Sequence, residues 1–166
     1  MAERDAASSR IGTAAEYLVA ASAILASEAR LNVSTSLVGD EGVDLVFHRR
    51  GGTATLAVQV KARTTDTSQH RRGRISANLR RSTFRARSDL AVLIVLVDKR
   101  SAALELAWLI PSAKFEHEAM SARNGEVLKF AASVKPDTAD KWAHYRLSPG
   151  ELADRLETWL TEADES

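Results

Sequence analysis

Gly42-Val43-Asp44-Leu45-Val46-Phe47-His48-Arg49-Arg50-Gly51-Gly52-Thr53-Ala54-Thr55-Leu56-Ala57-Val58-Gln59-Val60-Lys61 is the stretch whose reading decides the fold. Val43 to His48 reads as a strand, with Val43, Leu45 and Phe47 on one face and Asp44, Val46 and His48 on the other. Thr53 to Ala62 reads as the next strand, β-branched and apolar, and Gly51-Gly52 between the two is a hairpin signal. A two-residue loop pairs Arg50 with Thr53 and sets Asp44 directly opposite Gln59. Opposed residues have Cβ atoms roughly 4.5–5.5 Å apart. Lys61 lies two residues past Gln59 on the same face, while Val58 and Val60 point into the core.

One hairpin thus presents a carboxylate, an amide and an ammonium together. That grouping suits phosphodiester cleavage. A hard cation such as Mg²⁺ takes oxygen ligands, commonly one or two carboxylates with water and phosphate oxygens. Asp44 supplies charge, the Gln59 carbonyl supplies a neutral oxygen, and Lys61 stabilises charge on phosphate or orients water. Glu16, upstream, is the candidate second carboxylate. Asp40 and Glu41 read as turn residues, with metal assistance the lesser reading.

Working outward, Ser9 to about Arg30 reads as a helix with Ile11, Ala15, Leu18 and Leu25 on an inner stripe. It is apolar on most sides, as a buried helix is, with Ser9, Thr13, Glu16 and Ser27 as its polar strip. Asn32 to Val38 is a first strand. Thr64 to Arg74 reads as a polar loop and Ile75 to Arg87 as a helix, with Ile75, Leu79 and Phe84 inward. Leu90 to Val97 is a continuous apolar run, the mark of a central strand covered on both faces. Ala103 to Ile110 is a further strand, Ser112 to Met120 a short helix, and Val127 to Ser133 and Trp142 to Leu147 edge strands. Ser148, Pro149 and Glu151 form a capping box that opens a last helix, frayed from Glu162 onward. The sum is a mixed α/β sheet in one domain, residues 1–166.

The 166 residues carry a formal net charge of +1. That figure hides a block: from Lys61 to Arg87 there are nine basic residues against Asp66 alone. Such a block means an anionic partner or a solvated tail. Arg63, Arg71, Arg72, Arg74, Arg80, Arg81 and Arg85 are the candidate nucleic-acid contacts, since Arg and Lys on phosphates dominate that affinity. There is no cysteine, which excludes disulfides and thiolate metal sites and fits a reducing cytoplasm. No stretch has the roughly 18 apolar residues of a membrane helix. His48, His70, His117 and His144 lack metal-ligand spacing, and phosphate-loop and serine-hydrolase motifs are absent.

Gly42-Val43-Asp44-Leu45-Val46 followed by Val58-Gln59-Val60-Lys61 resembles the core of the PD-(D/E)xK nuclease superfamily. It is most similar to the Q-x-K variant of Mrr-type restriction endonuclease domains and related uncharacterised bacterial domains. Gly12-Thr13-Ala14-Ala15-Glu16 is similar to the helix that precedes the sheet in those proteins. The resemblance covers roughly residues 10 to 110. It implies a restriction-endonuclease-like αβββαβ core flanked by helices, and divalent-metal cleavage of DNA. It also implies metal ligation by Asp44 and Gln59, catalysis by Lys61 and a supporting carboxylate at Glu16.

The expectation is therefore a Mg²⁺- or Mn²⁺-dependent endodeoxyribonuclease, a homodimer on DNA and not a membrane protein. Two alternatives stand beside it. Gln59 replaces the usual acid, so the same fold could grip nucleic acid with a weak or inactive site. The acidic C-terminal helix could instead serve a protein-interaction domain.

Overall fold

The computed structural model describes residues 2–36 and 42–166. Among them the chain forms α1 (Ala2–Ala26), β1 (Leu31–Thr35), β2 (Leu45–Arg49), β3 (Thr55–Thr64), α2 (Ser68–Arg71) and β4 (Arg74–Arg80). It continues with β5 (Leu90–Asp98), β6 (Ala103–Pro111), α3 (Ser112–Glu118), β7 (Met120–Ala122) and β8 (Val127–Ser133). A 3-10 turn at Ala143–Tyr145, β9 (Arg146–Leu147) and α4 (Pro149–Asp164) complete it. This is the mixed α/β architecture expected from the sequence, closed by a C-terminal helix.

The elements stack in three layers. A six-stranded sheet in the order β1-β2-β3-β5-β6-β9 lies in the middle. Its pairs are antiparallel except for β3 and β5, which run parallel. One face packs on α1 and α4 through Ala15, Val19, Ala23, Leu152, Leu156 and Leu160. The other packs on a second sheet, β4-β8-β7. β5 shows why its run is unbroken: Leu93 and Val95 enter the helix side while Val92, Ile94 and Leu96 enter the other. Burying each such side chain is worth roughly 1.5–3 kcal/mol. Phe84, Phe115, Trp142, Phe130 and Trp108 make successive ring contacts, with centroids 5.3–5.8 Å apart, that clamp the small sheet to the large one.

Several local expectations need correction. Ile75 to Arg87 is not a helix: β4 occupies 74–80 and turns follow. Ile75, Ala77 and Leu79 are buried at every second position, and β8 pairs with the whole of β4. The α1 stripe advances by four residues through Ala15, Val19, Ala23 and Ser27. Leu25 consequently lies outside it at 78% exposure, and Tyr17 is 64% exposed. Ser27 is fully buried, because its Oγ donates to the Ile24 carbonyl and accepts from the Leu31 amide. Val43 packs on the small-sheet side, opposite Leu45 and Phe47. Residues 142–147 hold a 3-10 turn and only two strand residues.

The capping box of α4 is present as read. Ser148 Oγ accepts from the Glu151 amide, and Glu151 returns a bond of 2.7 Å from the Ser148 amide. The helix does not fray at Glu162. Asp164 Oδ1 accepts from the Thr53 and Ala54 amides at 2.8 and 2.7 Å, and Oδ2 meets Arg49 at 3.4 Å. These bonds hold its carboxyl below its ordinary pKa, the Ala54 amide foremost.

Candidate active site

The site is built on the β2–β3 hairpin. Leu45 pairs with Val58, Phe47 with Leu56 and His48 with Thr55. The ladder ends at Leu45: the Asp44 amide bonds Val58 O, the residue Leu45 already faces, so Asp44 does not form the direct pair with Gln59 that the sequence suggested. The loop is also longer than two residues. Gly52 N bonds Arg49 O at 3.0 Å, Arg50 N turns away to Arg30 O, and the first pair after the bend is His48 with Thr55. Within the ladder the register survives because alternation of buried residues fixes it from the core side, and Asp164 fastens the loop.

Asp44 sits just before β2, half-buried. Its amide donates to Val58 O at 2.9 Å, and its Oδ2 accepts from the Val60 amide at 2.7 Å. The carboxylate therefore reaches across to the backbone between Gln59 and Lys61. Gln59 is only 6% exposed, and its Oε1 is buried without a hydrogen-bond partner. Lys61, half-buried, is aligned with Ile94 on β5.

Gly42 leads into Asp44 at φ +69°, a conformation that favours glycine. A Cβ there would lie 2.9 Å from Thr83 O and 3.2 Å from Gln59 Nε2. The turn after β4 thus closes over Gln59 from the small-sheet side.

Glu16 approaches from α1. Its carboxyl pKa is raised, first by burial and next by the charge of Asp44, while Lys61 pulls it back. Those couplings bring Glu16, Asp44 and Lys61 into one electrostatic neighbourhood. Among the described residues no group of three or more His, Cys, Asp and Glu side chains surrounds a single point. Asp40 and Glu41 lie outside the described residues. The donor set still fits a hard cation: two carboxylates, and a buried amide oxygen that lacks a partner. A buried acceptor left unpaired costs roughly 1–3 kcal/mol. A cation or ordered water would relieve that cost.

The basic block divides. Arg63 is mostly enclosed; its Nε donates to Ser76 O at 2.7 Å and its Nη1 to Ala62 O at 2.6 Å, joining β3 to β4. Arg71 and Arg72 flank the end of α2, and Arg71 Nη1 donates to Asp66 O. Arg74 and Arg80 stand on the outward face of β4. Arg81 donates to Gly125 O at 2.9 Å, and Arg85 to Arg81 O and Phe84 O. Arg80, Arg81, Arg85 and Arg123 line a concavity of about 680 Å³. None of these four pairs with a carboxylate among the described residues. Arg123 was not singled out from sequence; the Asn124-Gly125 hairpin bend beside it was the available signal.

The chain matches no protein-family profile and no curated protein. Among solved structures its fold is similar to that of a bacterial homing endonuclease, I-Ssp6803I. The match has a TM-score of 0.50 and 19% identity, and it covers 89% of this chain and 94% of that one. At that identity the likeness is one of fold. The chain therefore has a nuclease-like fold. No helix among the described residues is long and apolar enough to cross a membrane.

Proposed function

We propose that this chain is a metal-dependent endonuclease of the PD-(D/E)xK type that hydrolyses phosphodiester bonds in DNA, acting as one domain over residues 1–166. The observation that carries the reading is the buried, partnerless Oε1 of Gln59 on the hairpin where Asp44 reaches the Val60 amide. Asp44 and Gln59 would hold Mg²⁺ or Mn²⁺, with Glu16 in support. A cation held there supplies positive charge against the phosphate and acidifies water.

The chain's own groups do the rest. The Val60 amide fixes one Asp44 oxygen and leaves the other for the ligand. The Lys61 ammonium donates to a non-bridging phosphate oxygen as negative charge grows on it. Glu16 accepts a hydrogen bond from the attacking water. The arginines beyond the site grip the backbone through charge. One site cuts one strand, so cleavage of both strands calls for two copies, and a homodimer on DNA goes with this reading. A cysteine-free chain that works on DNA suits a reducing cytoplasm.

A plasmid-nicking assay in Mg²⁺ or Mn²⁺ tests the proposal. Wild type should nick, and Lys61→Ala and Asp44→Asn should each lose about 10²–10³-fold in rate. Equal nicking by all three proteins would sink it. A second reading, a DNA-binding module without catalysis, draws on the neutral Gln59 and the two-carboxylate donor set. Salt-dependent DNA binding with no nicking in either metal would favour it.

A further inference from the structure

We propose that the outward face of the β4–β8 ribbon lies in the major groove of duplex DNA and reads base edges through Arg74, Asn78, Arg80 and Lys129. This deepens the reading of the hairpin site as a DNA-cleaving one and rests on it. β4 is two-sided. Ile75, Ala77 and Leu79 face the core at 3% exposure or less, while Arg74, Asn78 and Arg80 are exposed. β8 lies beside it in register, with Asn78 opposite Lys129 and Ser76 opposite the exposed Ala131. The result is a row of long hydrogen-bond donors with Ser76 and Ala131 between them, where Ser76 Oγ donates to Gln69 Oε1 at 2.8 Å and brings the Gln69 side chain of α2 to the edge of the face.

These donors have no work inside the protein. The side chains of Arg74, Asn78, Arg80 and Lys129 make no hydrogen bond or ion pair among the described residues. A solvated sheet face needs only polarity. This one carries the groups that match base edges: Arg and Lys to guanine O6 and N7, Asn to adenine N6 and N7.

The dimensions agree. From Arg74 to Arg80 a strand advances about 20 Å at ~3.3 Å per residue. That spans about six base-pair steps of ~3.4 Å. Two strands lie ~4.8 Å apart, and the major groove, about 12 Å wide, admits such a ribbon. The deep, narrow major groove of A-form RNA does not.

The ribbon is also fixed relative to the cutting site. Arg63 ties Ser76 O to β3 at 2.7 Å, and the turn after β4 brings Thr83 O against Gly42 and Gln59. Arg81, Arg85 and Arg123, at the far end of the ribbon, are placed to take backbone phosphates and set its orientation. A duplex seated on the ribbon would then present a nearby phosphate to Asp44, Gln59 and Lys61.

The test is selection from a random duplex-DNA library by the full chain in Ca²⁺, followed by binding of the enriched duplex by variants. Wild type should enrich a motif of about six base pairs. Asn78→Ala and Arg74→Ala should each lose roughly 5- to 150-fold of the preference at separate positions of it. Both side chains are exposed, and unchanged melting temperatures would confirm that the variants fold. A motif that neither substitution alters would overturn the proposal, as would equal competition by an RNA duplex. Wild type that nicks plasmid but enriches nothing would overturn it and leave the nuclease reading standing. Failure both to bind and to nick any DNA would overturn the two together.

Discussion

Asp44 Oδ2 accepts a 2.7 Å hydrogen bond from the Val60 amide, so a side chain at the entry to β2 is fastened between Gln59 and Lys61 of β3. On the proposed reading Asp44 has two tasks, holding the Val60 amide and serving the metal, that substitution can separate. Asp44→Asn keeps an oxygen for the Val60 amide and should melt close to wild type while losing Mg²⁺-dependent nicking. Asp44→Ala leaves that amide unpaired and should cost roughly 1–2 kcal/mol as well. Thermal melts beside nicking rates check it. An Asn variant that nicks at the wild-type rate would remove Asp44 from the chemistry.

Gln59 offers the converse experiment. Gln59→Leu removes a buried acceptor that has no partner, so stability should hold or rise slightly while nicking is lost. Gln59→Glu adds a carboxylate near Asp44 and Glu16. The metal-free protein should then melt lower, and Mn²⁺ should restore more than it gives wild type. Titration calorimetry with Mn²⁺ should report the tighter binding directly.

Glu16 carries a pH signature. Its raised pKa means the folded chain holds this proton more tightly than the unfolded chain does. The stability that follows is present below the unfolded pKa and is lost as pH rises through the folded one. At neutral pH the metal-free carboxylate, half-buried beside Asp44, opposes folding. Glu16→Gln should therefore melt at or above wild type at pH 7 without metal, the difference shrinking toward pH 4. Mg²⁺ at a hundred times its Kd should add about 2.7 kcal/mol to wild type, and less to the variant. A lower metal-free melting temperature for Glu16→Gln, with an undiminished metal gain, would refute the assignment.

Asp164 has the opposite sign. Its lowered pKa contributes stability above the unfolded value, lost as pH falls through the folded one. Asp164→Ala should lower the melting temperature at neutral pH, with the deficit disappearing in strong acid. Amide exchange of Thr53 and Ala54 should quicken in the variant, since both amides donate to that carboxylate.

The sequence carried the hairpin register because its cause is local. Leu45, Phe47, Leu56 and Val58 must all face the helices, and slipping by one residue would turn every one of them outward. The β5 run and the α4 cap were equally plain, each written in contiguous residues. The crossover was not. Ile75 and Leu79 sit four apart, as on a helix, and Ala77 between them suits either structure. Only β8, far along the chain, decides for a strand. The α1 stripe misled for a related reason: an apolar residue occurs at almost every helical angle, so packing against the sheet and α4 chose the face. That Gln59 Oε1 lacks a partner is likewise a tertiary fact.

The parallel pairing of β3 with β5 has a consequence for how the chain folds. Gln59 is aligned with Val92 and Lys61 with Ile94, and that alignment waits until the excursion through α2 and β4 has closed. Non-local parallel pairing is slow, since loop-closure entropy is spent before any contact returns it. The hairpin that carries Asp44, Gln59 and Lys61 is itself local, and what comes late is its seating against β5. A newly made chain would therefore hold these three groups on an edge not yet joined to the rest of the sheet.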